Sequence, residues 1–137
     1  MSARGSCACG GVRFEVDPPF IRAGYCHCSR CRKHSGADGE AQLRVPPEQL
    51  RVLAGEELLA FWEPPDEGGR KVFCTRCGSS LFGSKWPDGP TVSVRLGAFD
   101  EDPGIRPEYR GWVGSAAPWL PIPDDGLPRH EGTVPAG

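Results

Sequence analysis

The sequence predicts an all-β protein built of short antiparallel strands, and three observations carry that prediction. Its 19 glycines and 15 prolines are spread over 137 residues as punctuation between short apolar runs, with no repeat period. One of those runs, from Val12 to Val16, alternates apolar and polar residues, the period that puts one face of a strand into a core and the other face outside it. Its seven cysteines fall into three tight clusters, which suits zinc knuckles that clip short strands together.

The strands are expected in this order. Val12, Phe14 and Val16 alternate with Arg13 and Glu15 after the turn CGG, and a second strand is expected over 21–26. Further strands are expected over 41–45, 51–54, 57–62, 71–74, 80–82, 91–96 and 109–113, most of them ended by clusters such as EPPDEGG and WPDG. The stretch PPEQL suits one helical turn, with proline at its start where a missing N–H costs nothing. Strands this short and this closely spaced suggest a sandwich or an open barrel. Residues 1–137 read as a single zinc-binding β domain, with 118–137 an extended C-terminal segment rich in proline and polar residues.

The charge pattern excludes two classes of partner. The 16 basic and 18 acidic residues are interspersed, for a formal net charge of −2, so there is no basic footprint for nucleic acid or for a membrane surface. No segment approaches the roughly 18 consecutive apolar residues of a membrane span, and the start of the chain, MSARGSCACGG, has no apolar signal core. A cytoplasmic protein is the expectation.

The cysteines sit as Cys7-Ala8-Cys9, as Cys26-His27-Cys28 followed by Cys31, and as Cys74-Thr75-Arg76-Cys77, each read as a loop. In a reducing compartment an odd set of seven is better explained by metal ligands than by disulfides. Two distant pairs, Cys7/Cys9 and Cys74/Cys77, suit a closed structural zinc site, and Gly78 after the last cysteine can take the positive φ of a zinc knuckle. Redox chemistry at Cys74 and Cys77 would need a βαβ setting, and no helical pattern follows them.

That leaves Cys26, Cys28 and Cys31 as three ligands with an open fourth position, the arrangement that separates catalytic from structural zinc. The pattern also permits Cys7/Cys9/Cys26/Cys28 as the closed site, or His27 or His34 as a fourth ligand to the trio. Three thiolates blunt the acidity of a bound water, so the open position suits a thiol substrate, deprotonated and held for attack on a carbonyl. Arg30, Arg32 and Lys33 surround the trio and can receive the carboxylates of an acidic thiol such as glutathione, although for any one of them a solvated charge is the plainer reading. The tryptophans at 62, 86, 112 and 119 read as core or rim packing.

The segments GSCACGGVRFEV, YCHCSRCRKHSGA, FCTRCGSSLF, VSVRLGAFDEDPGIRP and SAAPWLPIPDDGLPRHEG together resemble the glutathione-dependent formaldehyde-activating enzyme family, which includes relatives of centromere protein V. The resemblance implies a β-tent fold, a structural zinc on Cys7, Cys9, Cys74 and Cys77, and a catalytic zinc on Cys26, Cys28 and Cys31. It implies a carbon–sulfur lyase that adds glutathione to formaldehyde to give S-(hydroxymethyl)glutathione. Two departures stand out: Asp38 and Glu40 follow Gly36 where a more apolar wall is usual, and Arg110 and Ala116 stand near the family's His and Lys. A second reading, from these departures, is a zinc-stabilised binding or scaffold module without turnover.

Overall fold

The computed structural model describes residues 1–135. Two sheets enclose one core. The smaller holds β1 (Ala3–Ser6), β2 (Arg13–Val16) and β5 (Leu50–Ala54), in the order β1-β2-β5 and antiparallel throughout. The larger holds β3 (Arg22–Cys26), β4 (Glu40–Val45), β6 (Leu59–Trp62), β7 (Lys71–Cys74), β8 (Ser80–Phe82), β9 (Val92–Arg95) and β10 (Arg110–Gly111). Its order is β10-β3-β4-β9-β8-β7-β6, with every pair antiparallel except β10 beside β3. The expected all-β class is what the structure has, with one short α-helix among the described residues, α1 (Ser29–Ser35).

The period-two pattern explains the packing. Phe14 and Val16 of β2 are fully buried and meet Leu43, Val45, Phe82 and Val94 from the larger sheet. The Phe14 ring stands edge-on to Phe82 and Phe99, with centroids 5.2 and 5.7 Å away. Gly5 in β1 is required by this contact, because a Cβ there would lie 2.2 Å from the Phe14 ring.

The other face of the larger sheet is polar and positions the site. Residues directly opposite in neighbouring strands share a face, so the pairs Cys26↔Glu40, Gly24↔Gln42 and Arg22↔Arg44 lie side by side. Gln42↔Arg95 and Arg44↔Ser93 extend that face onto β9.

Several expectations need correction. β1 was not expected, since ARGS shows no apolar alternation, yet it adds to the smaller sheet. The strand expected over 109–113 is confined to Arg110–Gly111, and the one over 57–62 begins at Leu59 after a 3-10 turn. The second cysteine cluster is not a loop: it spans the end of β3 and the first turn of α1. SRCRKHS lacks an apolar helical period, but both ends are capped. The Cys28 sulfur accepts the Cys31 N–H, and Gly36, at φ 73, donates its N–H to the Arg32 carbonyl.

Residues 118–135 contain no helix or strand, and their backbone runs beside β10, with bonds from Arg110 N–H to Pro128 O and from Trp112 N–H to Gly132 O. Among the described residues no helix is long and apolar enough to cross a membrane.

Candidate functional site

Cys7, Cys9, Cys74 and Cys77 meet at one centre, with their sulfurs within 4.8 Å of one another. Cys7 and Cys9 lie in the turn from β1 to β2, Cys74 ends β7, and Cys77 lies in the turn to β8. The Cys7–Cys9 and Cys9–Cys74 sulfur separations are 3.5 and 3.9 Å. A tetrahedron of zinc thiolates has edges of about 3.8 Å, so the donor set and its size fit a closed zinc site. Gly78 adopts the expected positive φ, 81°.

The surroundings favour thiolate on the exposed side of this centre. The Gly11 N–H and the Arg76 guanidinium hold the Cys9 thiol below its ordinary range. The Ser79 side chain and backbone lower Cys77 to about 5, while burial raises Cys74.

Cys26, Cys28 and Cys31 form the second centre, also within 4.8 Å. β3 delivers Cys26 at its last residue, and α1 delivers Cys28 at its N-cap and Cys31 one turn later. All three line a cleft of about 560 Å³ whose walls also include Arg44, Lys71 and Arg95. Three sulfurs on one wall, with no fourth protein ligand in the cluster among the described residues, fit an ion with one position turned to the cleft.

Without metal the trio shares its charge unequally. The neighbouring Cys26 and Cys31 thiols and the Cys31 N–H, 3.3 Å from its sulfur, hold Cys28 well below the ordinary thiol range. The same contacts, with burial, push Cys26 and Cys31 up. Loading a metal therefore has to displace the protons of Cys26 and Cys31.

Behind the trio lies a buried ionic network that sequence reading missed. The Lys71 ammonium donates to the Cys31 sulfur at 3.1 Å and stands 3.7 Å from the Glu40 carboxylate. Arg95 Nε is 2.7 Å from the same carboxylate, and His34 Nδ1 is 3.7 Å from its other oxygen. Glu40, Lys71 and Arg95 are each only 6% exposed. No donor is well directed at either Glu40 oxygen, the Arg95 Nε–H being given to Ser80 Oγ at 3.2 Å, so the attraction is chiefly Coulombic. The available signal was a charged residue at one end of each of two largely apolar strands, Lys71 opening KVFC and Arg95 closing VSVR. Glu40 lies behind the cleft wall instead of forming it.

The three cations expected around the trio separate. Arg30 lines the cleft and makes a bidentate pair with Asp66 at 2.8 Å. Arg32 donates Nε to the Ser115 carbonyl, Lys33 is exposed, and neither lines the cleft. His27 is buried, with Nδ1 on the Asp38 carbonyl and Nε2 facing the Arg110 guanidinium, both at 3.1 Å. His34 Nδ1 faces Ser80 Oγ. Neither histidine belongs to a sulfur cluster.

A family model described as glutathione-dependent formaldehyde-activating enzyme matches residues 2–115, a span that holds all seven cysteines. The chain belongs to this family. A Halomonas elongata protein that carries the family name is 36% identical over a 118-residue alignment that covers 79% of this chain and 72% of that protein. A crystal structure of a Rhodobacter sphaeroides protein superposes with a TM-score of 0.61 over 93% of this chain and 98% of that one; at 22% identity it speaks for the fold alone. In this family member the cluster of Cys26, Cys28 and Cys31 lies on the same polar sheet face as Gln42, Arg44 and Arg95.

Proposed function

We propose that this protein is a zinc-dependent carbon–sulfur lyase that adds a thiol, glutathione, to a small aldehyde such as formaldehyde. The observation that carries the reading is a wall of three sulfurs opening onto a basic cleft. Cys7, Cys9, Cys74 and Cys77 would hold a structural zinc, and Cys26, Cys28 and Cys31 a second. Bound there, zinc supplies a Lewis-acidic position at which a substrate thiol loses its proton.

The chain's own residues do the rest. The Cys28 N-cap and Cys31 N–H fix the relative placement of two sulfurs, since the bond between them is part of the helix start. Lys71 places a cation against Cys31, offsetting the negative charge that a fourth sulfur would add to three thiolates. The Glu40 carboxylate holds Lys71 and Arg95 in place from behind. Lys71 and Arg95 share the single Glu40 carboxylate and so leave the cleft net positive, which draws in an anionic thiol. In the reaction the substrate sulfur forms a bond to the aldehyde carbon, the carbonyl π bond breaks, and the proton lost by sulfur ends on oxygen. Arg30 takes part only by exchanging Asp66 for a substrate carboxylate.

Exchange NMR of formaldehyde and glutathione, with the zinc-loaded protein at catalytic concentration, tests the proposal. The expected result is faster formation and breakdown of the hydroxymethyl thioether. A rate equal to the spontaneous one, across several thiols and aldehydes, refutes it in favour of a scaffold.

A further inference from the structure

The cations of the cleft differ in one respect: whether they have a counterion. Arg30 is paired with Asp66, Arg70 with Glu63 and Asp88, and Lys71 and Arg95 with Glu40. Arg44 lines the same cleft, is half-buried, and makes no ion pair and no side-chain hydrogen bond among the described residues. Its surroundings add to the imbalance. The residue directly opposite on β3 is Arg22, which also lacks an acidic partner among the described residues. Arg22 lies over the Tyr109 ring at 4.7 Å and donates to the Pro135 carbonyl at 2.8 Å. Like charges directly across two strands repel, and nothing within the described structure neutralises this pair.

Register gives the distance from this charge to the sulfurs. Cys26 is opposite Glu40, and Arg44 lies four residues further along β4 on the same face. At roughly 3.4 Å per residue, its Cα is about 14 Å along the strand from the level of Cys26. An arginine side chain and an extended tripeptide of roughly 10 Å span that interval together, whereas a two-carbon thiol falls short.

We propose that Arg44 is the carboxylate anchor of the cleft, holding an acidic group of a peptide thiol at one end while the thiol lies at Cys26, Cys28 and Cys31. This rests on the reading of the site as a thiol-using centre, and it assigns the selection of acidic peptide thiols over neutral or very small ones to a residue outside the sulfur cluster.

The test compares wild type with Arg44→Gln and Arg44→Lys, all zinc-loaded, with zinc content and circular dichroism confirming the fold. The binding probe is S-methylglutathione, which keeps both carboxylates but has no thiol. Arg44→Gln should weaken its binding at least tenfold, as expected for loss of a charge-assisted contact, and Arg44→Lys should restore part of it. In the kinetic arm, Arg44→Gln should raise the KM for glutathione by a similar factor and leave both kcat and the KM for glutathione diethyl ester unchanged. Equal shifts for glutathione and its diester, unaltered binding in Arg44→Gln, or no binding of S-methylglutathione to wild type would each overturn the anchor. If wild type accelerates no thiol addition but Arg44→Gln still abolishes S-methylglutathione binding, the lyase reading fails and the anchor stands.

Discussion

Replacing Glu40 by glutamine probes the ionic support beneath the three-sulfur site. The substitution keeps the volume and removes the charge. Two buried cations then lose their counterion: Arg95, 2.7 Å away, and Lys71, 3.7 Å away. Removing one partner of a buried pair costs about 3–5 kcal/mol, because the remaining charge stays desolvated. The lower end applies here, since Lys71 keeps the Cys31 sulfur and Arg95 keeps the side chains of Gln42 and Ser93 as acceptors. A loss of about 3 kcal/mol corresponds, in a chain of this size, to a drop in Tm of roughly 10 °C. Thermal and urea unfolding of zinc-loaded protein at pH 7 reads it directly. A loss below about 1 kcal/mol at an unchanged m-value would refute the reasoning, because the two cations would then be stable without their carboxylate.

Three further outcomes follow from the same geometry. The double variant Cys28→Ser, Cys31→Ser should lower zinc from two ions per chain to one and keep the fold, while Cys74→Ser should abolish the folded state; native mass spectrometry and circular dichroism report both. Lys71→Met should retain both zinc ions yet slow thiol addition about tenfold or more, with partial rescue in Lys71→Arg, because the charge-assisted contact to Cys31 is lost and the strand is kept. Asp17 is held below the usual carboxylate range by the hydrogen bonds of Arg51. Its folded pKa is depressed, so its stabilisation is complete above the unfolded value of 3.8 and is lost as pH falls below it. Unfolding midpoints measured between pH 7 and pH 2 should therefore fall less steeply at the acid end in Asp17→Asn.

The sequence made legible what depends on short-range pattern. Alternation located β2, because half-buried strands impose it, turn-forming clusters bounded most of the other strands, and cysteine spacing located the sulfurs that the fold gathers. β1 was invisible because its role is to supply Gly5 against the Phe14 ring, a fit that leaves no periodicity. The basic residues near the trio were misplaced for a geometric reason: on a loop all three can surround the sulfurs, but on α1 each residue turns about 100°. Arg30 therefore reaches the cleft while Arg32, about 200° further round the helix, turns to the Ser115 carbonyl. Lys71, Glu40 and Arg95 were hidden because their meeting depends on sheet order. β4 lies beside β9, more than forty residues later in the chain, a pairing no local signal announces.

Strand β7 is four residues long and ends in both centres: Lys71 touches Cys31 at one end, and Cys74 belongs to the four-sulfur cluster at the other. The two centres are thus connected in series through a short, rigid segment. A slip of one residue along β7 would turn Lys71 to the opposite face and present Val72 to the cleft. By holding Cys74, the four-sulfur cluster acts as a register lock and sets where the charge beside Cys31 stands.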